Sequence, residues 1–293
     1  MGRYSRVLKL MANPTVTAAP PNNDQAAAID ENPFTQQAAS EARKPVKRSL
    51  LESVITGKKV RPLLTVLYGP PGVGKTTWAS KAPNPIFIPT ERGVDQVGAT
   101  RFPMPETFGR FCSMVRAVAN ENHGYQTLVI DTADGLEALI WADVCENKKV
   151  TSIEELKWGD GYTAAKGKWR RLLNELVTLS ERMNVVILAH AHIKIFNDPA
   201  LPDPYDMWKI KMHDKSAEVL RECVDNILFA CHEVTLAKDK PTDDKGKGLH
   251  SGKRIIHTTA GTGYEAKNRF ELDDPIDLEW SALASGVREF YGK

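Results

Sequence analysis

The sequence predicts an α/β fold: a mainly parallel, twisted sheet covered by helices on both faces, with a β-hairpin-rich C-terminal part. Three observations carry that expectation. From Leu50 onward, near-continuous apolar runs alternate with stretches of helical periodicity, as strands buried on both faces require. Between the first such run and the first helix lies Gly69-Pro70-Pro71-Gly72-Val73-Gly74-Lys75-Thr76, rich in glycine and closed by a lysine and a threonine. Glu91, Asp131 and His190 each fall just past an apolar run, at the sheet edge that carries the glycine loop, where ligands of such sheets sit.

Leu63–Tyr68 is apolar and partly β-branched, so it reads as the first strand, and Thr76–Ala82 as a short helix stopped by Pro83. Ile86–Pro89 is a second, short strand. Glu106–Ala119 carries Phe108, Phe111, Cys112 and Val115 on one helical face. Thr127–Thr132 is a buried strand closed by an acid, and Asp134–Asn147 a helix with Leu136, Leu139, Ile140 and Val144 on its inner stripe. A Gly-bearing loop, 148–161, precedes a long helix over Tyr162–Arg182. Val185–His190 is the next strand, apolar until its end. Residues 193–213, with three prolines and mixed charge, read as an exposed loop. A helix near Ser216–Cys223 and a strand at Asn226–Cys231 follow, then β-rich pieces at Glu233–Ala237 and Arg254–Ala260 joined by a hairpin tip over 238–252.

The stretch before Leu50 differs. Residues 12–42 are rich in Ala, Asn, Gln, Pro and Thr and have too few large apolar side chains to bury themselves, so 1–48 is expected to be a flexible tail and 49–293 the folded domain. No signal peptide or transmembrane run is evident, so a soluble, intracellular chain with no membrane partner is expected. A net charge of +2 over 293 residues gives no bulk attraction for a polyanion, so any such site has to be a local patch. The basic clusters around Arg43–Arg48 and Lys166–Arg171 read first as solvated faces. Four scattered cysteines without a Cys-x-x-Cys pair point to ordinary reduced thiols, and His190-x-His192 lacks a third ligand for a metal.

The glycine loop names its ligand. Gly69, Gly72 and Gly74 let the backbone curl so that successive N–H groups face one anion. Pro70, Pro71, Val73, Thr76 and Thr77 complete the wall around it. Lys75 adds a point charge for the outer phosphates, and the Thr76 hydroxyl offers a Mg²⁺ ligand. The strand-loop-helix context is the one a phosphate-binding loop demands, so the chain is expected to bind ATP with Mg²⁺. Asp131 is the expected second acid, reaching Mg²⁺ directly or through a water. It also suits the N-cap region of the following helix.

Enzymes of the AAA+ kind usually place a catalytic Glu directly after that Asp, and here Thr132 stands there. Glu91 is then the best candidate base, polarising the attacking water. His190, at the end of its strand, is placed to sense the γ-phosphate and pass its presence to the segment that follows, with His192 as a neighbour able to do the same. Lys267 and Arg269, two apart on an extended segment, project to one side. One of them, offered to a neighbour's γ-phosphate, would act as a finger in trans.

Together these residues resemble a RecA-type ATPase core rather than an AAA+, Ras-like or kinase-like one. A catalytic Glu after the strand that follows the phosphate loop matches Thr90-Glu91, an Asp without a following Glu matches Leu128-Val129-Ile130-Asp131, and a polar sensor ending the next long strand matches His190, where RecA has Gln. Lys267-Asn268-Arg269-Phe270 resembles the Lys-Asn-Arg-Phe-Gly motif of RadA, although Glu271 replaces the Gly. The ordered set, with Gly159-Asp160-Gly161-Tyr162 between, is most similar to phage ATP-binding proteins of the RecA-like branch of the Sak-type single-strand annealing proteins, over about residues 48–283.

That resemblance implies a minimal recombinase in the cytoplasm of a phage's host. It would bind single-stranded DNA and assemble as a filament or ring with ATP between subunits, with a separate single-strand-binding protein as a further partner. It makes two segments DNA-binding candidates: 148–161 with Lys157, Trp158 and Gly159, and 193–213 with Lys194, Lys209 and Lys211. Both supply cations for phosphates and aromatics for stacking. A helicase or helicase loader on the same core, and a regulatory ATPase whose partner is a protein, are the alternatives.

Overall fold

A computed structural model describes residues 50–237 and 247–292. The expected tail over 1–48 and most of the expected hairpin tip lie outside the described residues. Residues 50–59 belong to a separate unit containing a 3-10 turn, Leu50–Ser53. The residues from Val60 onward form the α/β unit.

Its sheet has eight strands. Five run parallel in the order β2 (Pro85–Pro89), β3 (Thr127–Asp131), β4 (Asn184–Phe196), β1 (Leu64–Gly69) and β6 (Asn226–Ala237). β7 (Lys247–His257) and β8 (Ile276–Asp277) extend the β6 edge antiparallel, and β5 (Tyr205–Ile210) pairs antiparallel with the far end of β4. The central strands alternate their contacts between the two layers. Leu64, Val66 and Tyr68 pack into one, against α2 (Phe108–Asn120), α3 (Ala133–Lys148), α4 (Asp160–Leu179) and α5 (Asp214–Cys223). Leu67 packs into the other, with Val73, α1 (Lys75–Ser80) and α6 (Trp280–Gly292). Both faces are covered, which is why every residue of β1 is buried.

The expected fold class is the observed one, and three local expectations change. The segment 193–213 is largely a β-hairpin. β4 continues six residues past His190 and pairs with β5 through Phe196↔Tyr205. The three prolines that suggested a loop all fall in its 197–204 tip, where proline breaks no ladder. The strands expected at Asn226–Cys231 and Glu233–Ala237 are one strand with a register shift between His232 and Val234, and β7 already begins at Lys247. The C-terminal part is also not purely β. Trp280, Leu283, Ala284 and Val287 have helical spacing and bury one face of α6, with Trp280 4.9 Å from the Trp78 ring.

Among the largest core side chains is Trp169 on α4, at 0 % exposure. Trp169→Ala is expected to destabilise the domain by about 3–5 kcal/mol, read as a lower urea midpoint. An unchanged midpoint would contradict the packing described for this layer.

Candidate active site

β1 delivers the phosphate loop. At its end Gly69 lies so close to β6 that an added Cβ would meet the Ala230 carbonyl oxygen at 2.2 Å, so no side chain fits there. Gly74 has φ +108°, a left-handed conformation available to glycine, and N-caps α1. Lys75 follows and is nearly buried, its Nζ donating to the carbonyls of Gly69 at 3.0 Å and Pro70 at 3.1 Å. Burial lowers its pKa, with Asp131 and Glu91 pulling the other way. The ammonium is therefore held across the mouth of the loop.

Asp131 ends β3 and is 1 % exposed. Its Oδ2 accepts a 2.8 Å hydrogen bond from the Thr76 hydroxyl, which brings together the two groups expected to hold Mg²⁺. Burial raises its pKa to about 6, opposed by the Thr76 hydrogen bond. A buried carboxylate of raised pKa beside a hydroxyl fits a divalent cation, which would supply the missing countercharge. Thr90 laces the tips of β2 and β3: its Oγ1 accepts from Thr132 N at 2.7 Å and donates to Thr132 O at 2.8 Å. That lacing fixes where the following Glu91 stands. Thr132, in the place of an AAA+-type Glu, N-caps α3 by accepting from Gly135 N.

His190 sits on β4 in register with Gly69, so the sensor position and the phosphate loop are neighbours across one ladder. Its Nε2 lies 3.9 Å from Glu91 Oε1. Its Nδ1 is 2.9 Å from Asp134 Oδ2, and its backbone N donates to Asp134 Oδ1 at 3.0 Å. The Asp134 hydrogen bond raises the His190 pKa against the opposing effect of burial. Burial alone would raise Asp134, yet the His190 hydrogen bonds bring it down to about 2. Lys75, Thr76, Glu91, Asp131 and His190 thus converge from four elements. Glu91, Asp134 and His190 also offer ligand atoms within 4.8 Å of one another, beside Lys75.

Sequence reasoning missed two residues here. Asp134 is an acid in the first turn of a helix that starts at a strand tip, a signal that could have found it. Arg254, on β7, is the other: its Nη1 lies 3.5 Å from Val73 O and would meet a Cβ at Gly74 at 2.6 Å. It is a second cation on the phosphate loop, contributed by the C-terminal hairpin, and no motif announces it.

The remaining candidates lie elsewhere. Lys267 Nζ donates to the carbonyls of Arg221 and Val224, both at 2.7 Å, closing the end of α5. Arg269 pairs with buried Asp225 at 3.3 Å while remaining 51 % exposed. Both stand where β1 and β6 begin, about 13 Å of strand from the phosphate loop of their own chain. Trp158 is 96 % exposed between Lys157 and Gly159, with φ +59°. Lys194 pairs with Asp214 at 2.6 Å, and the Lys209 ammonium lies 4.6 Å from the Phe196 ring centre. Lys211 follows the hairpin, its N donating to His190 O at 2.8 Å.

One stripe of α3 joins these regions. Asp134 holds His190, Glu137 Oε2 accepts from His213 N at 2.9 Å, and Trp141 meets Tyr162 edge-on at 5.6 Å. The His213 and Tyr162 rings stack at 4.0 Å. The stripe therefore touches the end of the β4–β5 hairpin and the start of α4, just after the Trp158 loop.

Fold and site define a phosphate-loop ATPase. Residues 61–270 match a family model described as an AAA domain, and the chain belongs to that family. It is also similar to the SPbeta prophage-derived uncharacterized protein YorG of Bacillus subtilis (strain 168), 22 % identical over 148 residues. That match covers 47 % of this chain and 43 % of the relative, so the chain spans less than half the length of that relative. Among the described residues, no helix is long and apolar enough to cross a membrane.

The Asp134–His190 pair gives a signed pH prediction. His190 contributes stability fully present below its ordinary value of 6.5 and lost as pH rises through the raised one. Asp134 contributes above its ordinary 3.8, and that is lost as pH falls toward 2. Asp134→Asn is expected to lower the His190 pKa, measured by NMR titration of the imidazole. An unmoved midpoint would mean the contact does not set it.

Proposed function

We propose that the chain is a Mg²⁺-dependent ATPase of the RecA kind that binds single-stranded DNA and promotes annealing or strand exchange in phage recombination and repair. The observation that carries the ATPase part is the convergence of Glu91 and His190 on the loop that holds Lys75, within reach of the Asp131–Thr76 pair. Lys75 and the loop amides hold the triphosphate, while Thr76 and Asp131 hold Mg²⁺. The metal, when bound, offsets charge on the phosphate oxygens. Glu91 orients and deprotonates the attacking water, and His190, kept in place by Asp134, registers the terminal phosphate from its Nε2 side.

Support for a single strand as ligand comes from the fully exposed Trp158 beside Lys157, a stacking ring next to a cation. Lys209 and Lys211 add cations on the hairpin, diluted by Asp198, Asp203, Asp206 and Asp214, so the hairpin is the weaker of the two DNA-binding candidates. Support for assembly comes from Arg269, half exposed and far from its own phosphate loop, so a neighbour's ATP is the one it would serve. Lys267, tied to two carbonyls, is the weaker of the two as a finger.

Glu91→Gln is expected to retain ATP while turnover falls by about 10²–10⁴-fold; normal hydrolysis would move the base elsewhere. With this ATP-trapped variant, labelled single-stranded oligonucleotide is expected to bind at low salt and to dissociate as salt rises. No binding with or without ATP would remove the recombinase reading, and vigorous duplex unwinding by the native chain would favour a helicase. Arg269→Ala mixed with Lys75→Ala is expected to recover part of the lost ATPase, since the Lys75→Ala protomer still offers Arg269 to the intact phosphate loop of an Arg269→Ala neighbour. A mixture no more active than its components would remove the role in trans.

A further inference from the structure

Beside the nucleotide site, on the far side of Asp134, lies a cavity of about 300 Å³ whose role the ATPase chemistry leaves unused. Its walls include Glu137 and Trp141 from α3, His192 from β4, and Lys211 and Met212 from the segment closing the β4–β5 hairpin. Glu137 is only 5 % exposed. Glu137 Oε1, Trp141 Nε1 and His192 Nε2 are all buried and have no hydrogen-bond partner among the described residues. Buried polar atoms are nearly always satisfied, so three orphans around one cavity indicate something that satisfies them.

The donor set narrows what that is. The indole offers only an N–H, while the Glu137 carboxyl, which burial pushes toward its protonated form, and a neutral imidazole can each donate or accept. Burial keeps His192 toward the neutral form. A simple cation would leave Trp141 unmet, and a simple anion would be met by Glu137 only in its protonated form. A ligand carrying both donor and acceptor groups on its edge, with flat faces for Met212 and the indole, meets all three. Lys211 at the wall supplies a cation for an attached phosphate.

We infer that this cavity receives a single nucleobase turned out of a bound strand, read by Glu137, Trp141 and His192. The inference rests on the single-stranded DNA reading above and adds the base contact to it. The three orphaned groups are shielded from solvent, so occupancy turns them toward the cavity by rotamer-scale motion. Because Glu137 and Asp134 share one face of α3, a base in the cavity would bear on the carboxylate that holds His190.

The test uses the full chain in a Trp158→Ala background, which removes stacking at the exposed loop. The probes are an oligo-dT strand, an abasic strand of equal length, and free nucleosides. Quenching of Trp141 is read as the fluorescence difference from Trp141→Phe. The base-bearing strand is expected to quench Trp141 and to bind about tenfold more tightly than the abasic one, the scale of one good base-edge contact. Glu137→Gln should bring that ratio close to one while leaving abasic-strand binding intact, which also shows that the variant is folded.

Equal binding of the two strands without Trp141 quenching would overturn the base pocket and leave the DNA reading standing. Binding of neither strand, in this background or with Trp158 restored, would overturn both. Quenching by nucleosides without strand binding would support a base site and overturn the strand as its source.

Discussion

The parallel pairing of β1 with β4 is the constraint on which the site depends. It sets Gly69 opposite His190, so a single ladder decides which side chain of β4 meets the phosphate loop. Side chains alternate between faces along a strand, so slipping that register by one residue would send His190 to the opposite layer and bring Ala189 or Ala191 to the loop. The register is held by more than backbone bonds. Leu63 N donates to the Asn184 side chain at 3.0 Å, and Leu64 N to buried Asp225 at 3.2 Å. Asp225 in turn pairs with Arg61 and Arg269, which locks the entry end of β1 while leaving its exit end free for the loop.

At that exit end the buried charges are arranged with their energetic conflict unresolved. Lys75 and Asp131 are both buried, and burial disfavours the charged form of each: the lysine is lowered and the acid raised. Glu91 adds a further negative charge nearby. A triphosphate and a divalent cation would bring the complementary charges, the response such an arrangement of buried charge calls for. His190 and Asp134 satisfy each other instead, which suits a positioning pair.

Much of this was legible in the sequence. The phosphate loop, the apolar strands and the acids and histidine at their tips carry strong local patterns, because buried parallel strands admit few polar residues except at their ends. Asp134 and Arg254 were not singled out for different reasons. Asp134 sits in the first turn of a helix, where an acid is ordinary, and its partner lies 56 residues away. Arg254 reaches the loop only because β7 folds back on β6, a long-range pairing that no local pattern encodes. The β4–β5 hairpin was obscured by three prolines that cluster at its tip, although Ile193, Lys194 and Ile195 alternate as a strand should. Thr132 was informative by what it is not: the residue after Asp131 caps a helix, which left Glu91, two residues past the end of β2, as the candidate base.

β4 is unusual in its length and in where it changes character. Its first six residues are core, and from His190 to Phe196 it stands progressively in solvent. The same backbone that carries the imidazole therefore continues as a stiff paired arm reaching about 20 Å beyond it. A tilt of roughly 10° at the imidazole would sweep the end of such an arm by about 3–4 Å. The fold thus contains a lever whose short end sits beside the phosphate loop and whose long end reaches whatever the hairpin touches.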